Sequence, residues 1–120
     1  MSRKNKERDV SEELLLTQSE YIPIDEITFS NPHVVQLINH EKKREILELL
    51  LNRSKTIIQL SRETGWNPGT IKRHLTDLLN GNLIVKAKII VNEHRIKLKY
   101  YRVAAKRFIF HYEFPTNPTI

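Results

Sequence analysis

The sequence predicts a small α+β domain, mainly helical, in which a series of helices is followed by a β-hairpin. Two observations lead to this prediction. Two short amphipathic segments meet across only Gly65 and Trp66, which leaves no room for a strand between them. After Gly81 the apolar residues change from helical spacing to alternation, which is typical of strands. The order helix, helix, tight turn, helix, hairpin is that of a winged helix-turn-helix, with an extra strand after the hairpin.

Length and composition limit the class of protein. The chain has 120 residues, no cysteine and a formal net charge of +6, so we expect one domain without disulfides or thiolate metal sites. No apolar run approaches the roughly 20 residues that a membrane span requires, and the charged segment 1–10 is not followed by an apolar region of signal-peptide length. We therefore expect a cytoplasmic protein with no membrane partner.

Basic charge is concentrated in the middle of the chain. Residues 41–103 carry fourteen basic and six acidic side chains, whereas residues 1–40 carry four basic and seven acidic ones. This excess fits a polyanionic partner, and a solvated lysine-rich surface is the alternative on charge alone.

Caps and apolar spacing predict the helices. Asn31-Pro32 is a good N-cap and first position for a short helix, and residues 41–52 have apolar side chains four apart, as on one helix face. Thr56 with Gln59 makes a capping box for the next helix, which ends at Gly65. A second Asn-Pro pair opens the last helix, which ends at Gly81. The residues expected inside are Val34, Val35 and Ile38 on the first helix and Ile71, Leu75, Leu78 and Leu79 on the last.

The outer face of the last helix carries side chains suited to DNA. Polar and basic groups there match base edges and phosphates, and Gly69 allows a close approach to a groove. Ordinary solvent exposure of an amphipathic helix is the alternative. The expected DNA-binding residues on this helix are Asn67, Gly69, Thr70, Lys72, Arg73 and Thr76.

The hairpin is expected to add phosphate contacts as a wing. Its basic members at or near the tip Asn92–Arg95 are Lys88, Arg95 and Lys97. Alternation places four apolar residues on one face of its first strand, Val85, Ala87, Ile89 and Val91, and strand parity requires one of Tyr100 and Tyr101 to face inward.

The chain is expected to divide into three parts. Residues 1–30 form a partly disordered arm, 31–103 the DNA-binding domain, and 104–120 a C-terminal extension. The extension alternates four aromatic residues, Phe108, Phe110, Tyr112 and Phe114. Such a patch is large for a monomer, so we expect the helix near 32–40 and a strand near 107–114 to form a homodimer interface. Folding back onto the same domain is the alternative.

The stretch 39–103 resembles the winged helix-turn-helix of ArsR-type regulators in the broad archaeal and bacterial sense. The matching segments are 43–50, 59–65, 70–78, 81–84 and 99–103. Three features depart from the family. Metal sensors of the family often use cysteine, which is absent here. The hairpin tip of the family usually carries glycine, so the tip of this chain is expected to be wider or mobile. Ser61 stands where alanine is usual. The resemblance implies a transcriptional regulator that binds double-stranded DNA.

No catalytic or metal-binding pattern stands out. The histidines do not pair with each other or with a carboxylate at compact ligand spacing, and His74, where the family also places histidine, is expected to pack and cap. A zinc site at His111 and Glu113 would need ligands from elsewhere. There is no nucleophile–base pair and no phosphate loop, so we expect neither an enzyme nor a cofactor.

These observations favour a sequence-specific regulator that acts as a homodimer, because one recognition helix reads few base pairs. The alternative is a winged-helix module that joins proteins within transcription or replication machinery.

Overall fold

The computed structural model describes residues 20–115, and the expectations for residues 1–19 and 116–120 lie outside this range. The elements within it are β1 (Ile24–Phe29), α1 (Pro32–Asn39), α2 (Glu41–Asn52), α3 (Ile57–Thr64), α4 (Pro68–Asn80), β2 (Ile84–Val91), β3 (Lys97–Val103) and β4 (Ala105–Phe110). Helices α3 and α4 form the helix-turn-helix, and the antiparallel pair β2–β3 is the wing. The predicted winged helix-turn-helix is confirmed.

Side-chain caps fix where the helices begin and end. The Asn31 side chain accepts a hydrogen bond from the His33 N–H at 2.9 Å. Thr56 and Gln59 form both hydrogen bonds of the predicted capping box. Gly65 ends α3 with φ of 78°, a left-handed conformation in which glycine has no side-chain strain. Each of these local signals was readable in the sequence.

The turn between α3 and α4 is held by hydrogen bonds. The Ser61 hydroxyl donates to the Trp66 carbonyl at 2.6 Å, and the Trp66 N–H donates to the Thr64 hydroxyl at 3.1 Å. Ser61 therefore does more than replace an alanine of similar size, because it ties the end of α3 to the turn that leads into α4.

One hydrophobic core lies under the three helices α2, α3 and α4 and the base of the wing. Its fully buried side chains are Ile46, Leu50, Leu60, Ile71, Leu75, Leu78, Leu83, Ile84 and Val103. Three of them belong to α4, so the packing fixes the rotation of that helix and leaves its opposite face to solvent.

The wing contains a β-bulge that corrects the predicted alternation of β2. The pairing register shifts between Lys86 and Lys88, and the extra residue reverses the faces beyond it. Ala87 is buried, but Ile89 and Val91 are 37% and 42% exposed instead of sharing its face. On β3, Tyr101 faces the core and Tyr100 is half-buried.

The first and last strands of the described residues pair in a second sheet that was not predicted from the sequence. β1 lies parallel to β4, so residues 24–29 are a strand of the domain and not part of an arm. Phe29 packs against Phe108 and Phe110, with ring centroids 5.8 and 5.7 Å apart. A strand partner 81 positions away leaves no local signal.

The C-terminal strand is also shorter than predicted. β4 ends at Phe110 rather than near 114, and Tyr112 and Phe114, 53% and 87% exposed, lie beyond it. The four aromatic residues therefore do not share one strand face. The first two fold back onto their own domain and the last two stand in solvent.

Candidate nucleic-acid interface

Helix α4 presents the predicted reading face to solvent. Lys72, Arg73 and Thr76 are exposed, and Thr70 is half-buried. The opposite side of the helix is fixed in the core, so these side chains cannot rotate inward without loss of the packing. The Thr76 hydroxyl donates to the Lys72 carbonyl at 3.0 Å and keeps its lone pairs as acceptors.

The start of α4 is both a helix cap and an exposed surface. The Asn67 side-chain oxygen accepts a hydrogen bond from the Gly69 N–H at 2.7 Å, which leaves its NH2 group as the donor that can face a ligand. A Cβ on Gly69 would lie 3.1 Å from that oxygen. Glycine here therefore protects the cap as well as allowing a close approach.

A groove bordered by basic residues, which we call the basic groove, runs between the helix-turn-helix and the wing. It is lined by residues along α3, on α4 and along β3. Its basic members are Arg62, Lys72, Lys97 and Lys99. Lys72 and Lys97 were predicted from the sequence, whereas Arg62 and Lys99 were not. Lys99 shares a strand face with Lys97, so the alternation of β3 could have indicated it. Three elements thus place four cations around one groove.

Arg73 lies on an adjoining surface. It shares a shallow depression with Thr70 and with Lys42 from the start of α2, and the Lys42 ammonium lies 5.2 Å from the centre of the Trp66 ring. Cationic side chains therefore flank α4 on both of its exposed sides.

The tip of the wing is a wide turn organised by one side chain. The Asn92 oxygen accepts hydrogen bonds from the N–H groups of His94 and Ile96, at 2.8 and 2.9 Å. Arg95 is exposed and has φ of 61°. The turn is wider than a glycine hairpin, as expected, and the N–H groups of Asn92, His94, Arg95 and Ile96 are hydrogen-bonded within it.

The structure does not bring Lys88 together with the other predicted cations. Its ammonium lies 3.0 Å from a Glu20 oxygen and 4.8 Å from the centre of the Tyr100 ring. The hydrogen bond from Lys88 lowers the pKa of Glu20 more than any other contact does, and Ser54 donates a further hydrogen bond to the same carboxylate at 2.8 Å. Lys88 is thus paired on the face of the wing that carries Tyr100, and the sequence could not show that the segment before β1 covers this face.

His74 packs inside the domain, as predicted, and contacts a buried lysine. The Lys43 ammonium lies 3.2 Å from His74 Nδ1 and 3.2 Å from Asp77. Lysine can only donate, so Nδ1 is the acceptor. Burial is the main cause that lowers the pKa of His74, and the Lys43 charge adds to it. The pair holds α2 against α4 from inside and does not cap a helix.

Within residues 20–115, no three histidine or carboxylate side chains lie together as metal ligands would. No helix in that range is long and apolar enough to cross a membrane.

Comparison with protein families places the helix-turn-helix. Residues 40–86 match the model described as bacterial regulatory protein, arsR family. The helix-turn-helix of this chain is therefore similar to those of the arsR family. The match spans less than half of the 120 residues, so β1, α1, most of the wing and β4 lie outside it.

Among solved structures, the chain is similar to the homodimeric winged helix-turn-helix DNA-binding domain of a possible ArsR-family transcriptional regulator from Mycobacterium bovis, determined by solution NMR. The identity is 23% and the TM-score 0.49, and the match covers 61% of this chain and 62% of that one. The fold assignment rests on the order and packing of the elements described above. Comparison with curated proteins gave no match.

Proposed function

We propose that the chain is a transcriptional regulator that binds double-stranded DNA sequence-specifically as a homodimer. The observation that carries the proposal is the convergence of Arg62, Lys72, Lys97 and Lys99, from three elements, on the basic groove. Duplex DNA presents closely spaced phosphates, and a surface of this kind attracts it independently of sequence. The arsR-family match of residues 40–86 supports the same function.

Recognition of the DNA sequence is assigned to α4. Lys72 and Arg73 are exposed beside Gly69 on the face away from the core, where both can reach guanine acceptors or phosphates. The wing is assigned to contacts with the sugar-phosphate backbone of the DNA, which Lys97, Lys99 and Arg95 would make. Two copies are needed because one helix covers only a few base pairs, and dimers bind half-sites one helical turn apart.

The experiment begins with selection of bound genomic fragments to obtain a cognate duplex. Lys72→Ala and Arg73→Ala are then expected to weaken binding to it by about 1–3 kcal/mol for each side chain that reads a base. Arg53→Ala is the matched control, because it removes one exposed positive charge outside the basic groove. Equal affinities for all four proteins would rule out the assigned reading face.

A second candidate function has its own observation. Ile58 and Ile96 are 50% and 55% exposed on α3 and the wing tip, and exposed apolar side chains of this kind suit a protein partner. A winged-helix module that joins proteins in transcription or replication machinery is therefore the alternative. Titration with random duplex at low and high salt separates the two, because DNA binding falls steeply with salt.

A further inference from the structure

An apolar groove on another part of the surface is lined by α1, α2 and β4. Its apolar side chains are Ile38, Leu47, Leu51, Val103, Phe108 and Phe110. Leu51 is 44% exposed although it borders this groove. Burial of apolar surface contributes about 25 cal/mol per Å². A partner that covers this groove would therefore gain free energy from removing its apolar side chains from water.

Two exposed aromatic side chains follow directly along the chain. Phe110 lines the apolar groove, and Tyr112 and Phe114 come two and four residues later with 53% and 87% of their surface exposed. A concave apolar surface is therefore followed, within four residues along the chain, by two exposed aromatic side chains. Together they exceed the scattered single residues that a monomer commonly exposes.

We propose that a second copy of this chain covers the apolar groove, with Tyr112 and Phe114 of each copy packed into the groove of the other. The proposal rests on the homodimer of the proposed function and names its surface. A two-fold interface uses one patch twice, so the patch must complement itself. A groove and two exposed aromatic side chains on the same chain can meet this condition.

The rim of the apolar groove offers a charge contact between copies. Its rim carries both signs, with Glu48 facing the same opening as Arg44, Lys106 and Arg107. Within residues 20–115, Glu48 makes no ion pair, and Lys106 lies 3.8 Å from its partner Asp25. Arg107 already pairs with Glu26 of its own chain. Arg44 donates only to the Ile38 carbonyl and the Asn39 side chain among the described residues, so a second copy can place its Glu48 against Arg44. The basic groove cannot pair with itself in this way, because its charged side chains are all positive.

The two surfaces do not compete. No residue lines both the basic groove and the apolar groove, so a dimer formed through the second leaves the first free for DNA.

The first test is the mass of the full chain in solution by sedimentation at micromolar concentration. The parent is expected at twice 14.2 kDa. Leu51→Glu and Phe114→Ser are expected to shift to the monomer, because they place a charge in the groove and remove an anchor. Ile89→Glu is the matched control, since Ile89 is also a partly exposed apolar residue but lies outside both the apolar and the basic groove, and it is expected to remain a dimer. Circular dichroism checks that each variant is folded.

A monomeric parent overturns the proposal and leaves the groove to a segment of the same chain. A folded Leu51→Glu protein that remains a dimer overturns the assigned surface.

Cross-linking distinguishes a partner's tail from the chain's own. The protein has no cysteine, so Leu51→Cys and Phe114→Cys can be made singly, mixed and oxidised. The proposal expects disulfide-linked pairs in the mixture, well above either variant oxidised alone. A double variant that closes its disulfide within one chain, while the mixture gives no linked pairs, contradicts it.

The outcome is separable from that of the proposed function. A parent that dimerises through the apolar groove but does not bind duplex DNA at low salt removes the regulator function and keeps the interface. A Leu51→Glu monomer that still binds random duplex supports the assigned DNA-binding surface. The dimer interface is then judged only from the masses measured by sedimentation.

Discussion

The lysines of the wing differ in what surrounds them, and this difference predicts different roles. Lys97 is exposed at the basic groove, whereas Lys88 is paired with Glu20 and does not line that groove. Lys97→Ala is therefore expected to make the slope of log affinity against log salt shallower by about one unit. Lys88→Ala removes the same charge from the chain and is expected to leave the slope unchanged. The measurement is a fluorescence titration of labelled duplex at several salt concentrations, and equal slopes for both variants would contradict the assignment.

His74 makes the stability of the domain depend on pH. Burial and the Lys43 charge lower its pKa below the ordinary 6.5, and His40, Arg73 and Lys42 act in the same direction. The unfolded chain therefore binds the proton first as pH falls. The stabilisation from neutral His74 is complete above pH 6.5 and is lost progressively below it.

The expected result is a larger fall in the unfolding midpoint between about pH 7.5 and 5.5 for the parent than for His74→Gln, which cannot bind the proton. His33→Gln is the control, because His33 is exposed, and it is expected to retain the pH dependence of the parent. Urea unfolding followed by fluorescence of Trp66, the single tryptophan, provides the midpoints. The same slope in His74→Gln as in the parent would show that another group carries the effect.

At the residue scale, patterns within one helix were predictable and pairings across the fold were not. The exposure of Lys72 and Arg73 followed from the apolar stripe on α4. The Lys43–His74 contact joins positions 31 apart, and a buried lysine contradicts the usual preference of that residue for water. The Glu20–Lys88 pair was equally invisible, because Glu20 belongs to a segment with no regular pattern.

Among the elements, α2 depends on a strand for hydrogen bonds to the carbonyl groups of its last turn. The Arg102 side chain of β3 donates to the carbonyls of Leu50 and Leu51 at 2.9 and 2.8 Å. These carbonyls lie in the last turn of α2 and have no partner within the helix. A guanidinium there satisfies both and also opposes the negative end of the helix dipole.

Arg102→Met is expected to lower the free energy of unfolding by about 1.5–3 kcal/mol, the range for hydrogen bonds to a charged group. Arg53→Met is the comparison, because Arg53 is exposed beside the same helix end and is expected to change the stability by less than about 0.5 kcal/mol. Chemical denaturation measures both. Equal losses would mean that general charge near α2, rather than the two hydrogen bonds, is responsible.

The helices were predictable as elements because each carries its own signals. Asn31, the Thr56–Gln59 pair and Gly65 mark helix ends through contacts within a few residues. The strands carried less information. Alternation found β2 and β3, but the bulge near Ala87 reversed the later part of β2, and no sequence feature marked that extra residue.

For the molecule as a whole, the parallel pair β1–β4 joins the two ends of the described chain to the core. Phe29 is the main apolar contact from β1, against Phe108 and Phe110. Phe29→Ala is expected to destabilise the domain by about 2–3 kcal/mol, below the usual cost for a fully buried phenylalanine because this one is half-buried.

Ile24→Ala in the same strand is the control, since Ile24 is 51% exposed. It is expected to cost less than about 1 kcal/mol. Thermal unfolding provides the comparison, and a neutral Phe29→Ala would mean that β1 is not part of the cooperative unit.

The pairing of β1 with β4 also sets an order of events during synthesis. Glu26 and Arg107, which form an ion pair across the two strands, are 81 positions apart. At about 5–20 residues per second, a ribosome makes the second strand on the order of ten seconds after the first. The helix-turn-helix and the wing can fold within that interval. During this time the backbone N–H and C=O groups of β1 have no strand partner, although most of the domain is already folded. For those seconds the nascent chain exposes Phe29 and an unpaired strand, the combination that chaperones bind and that other unfinished chains can capture.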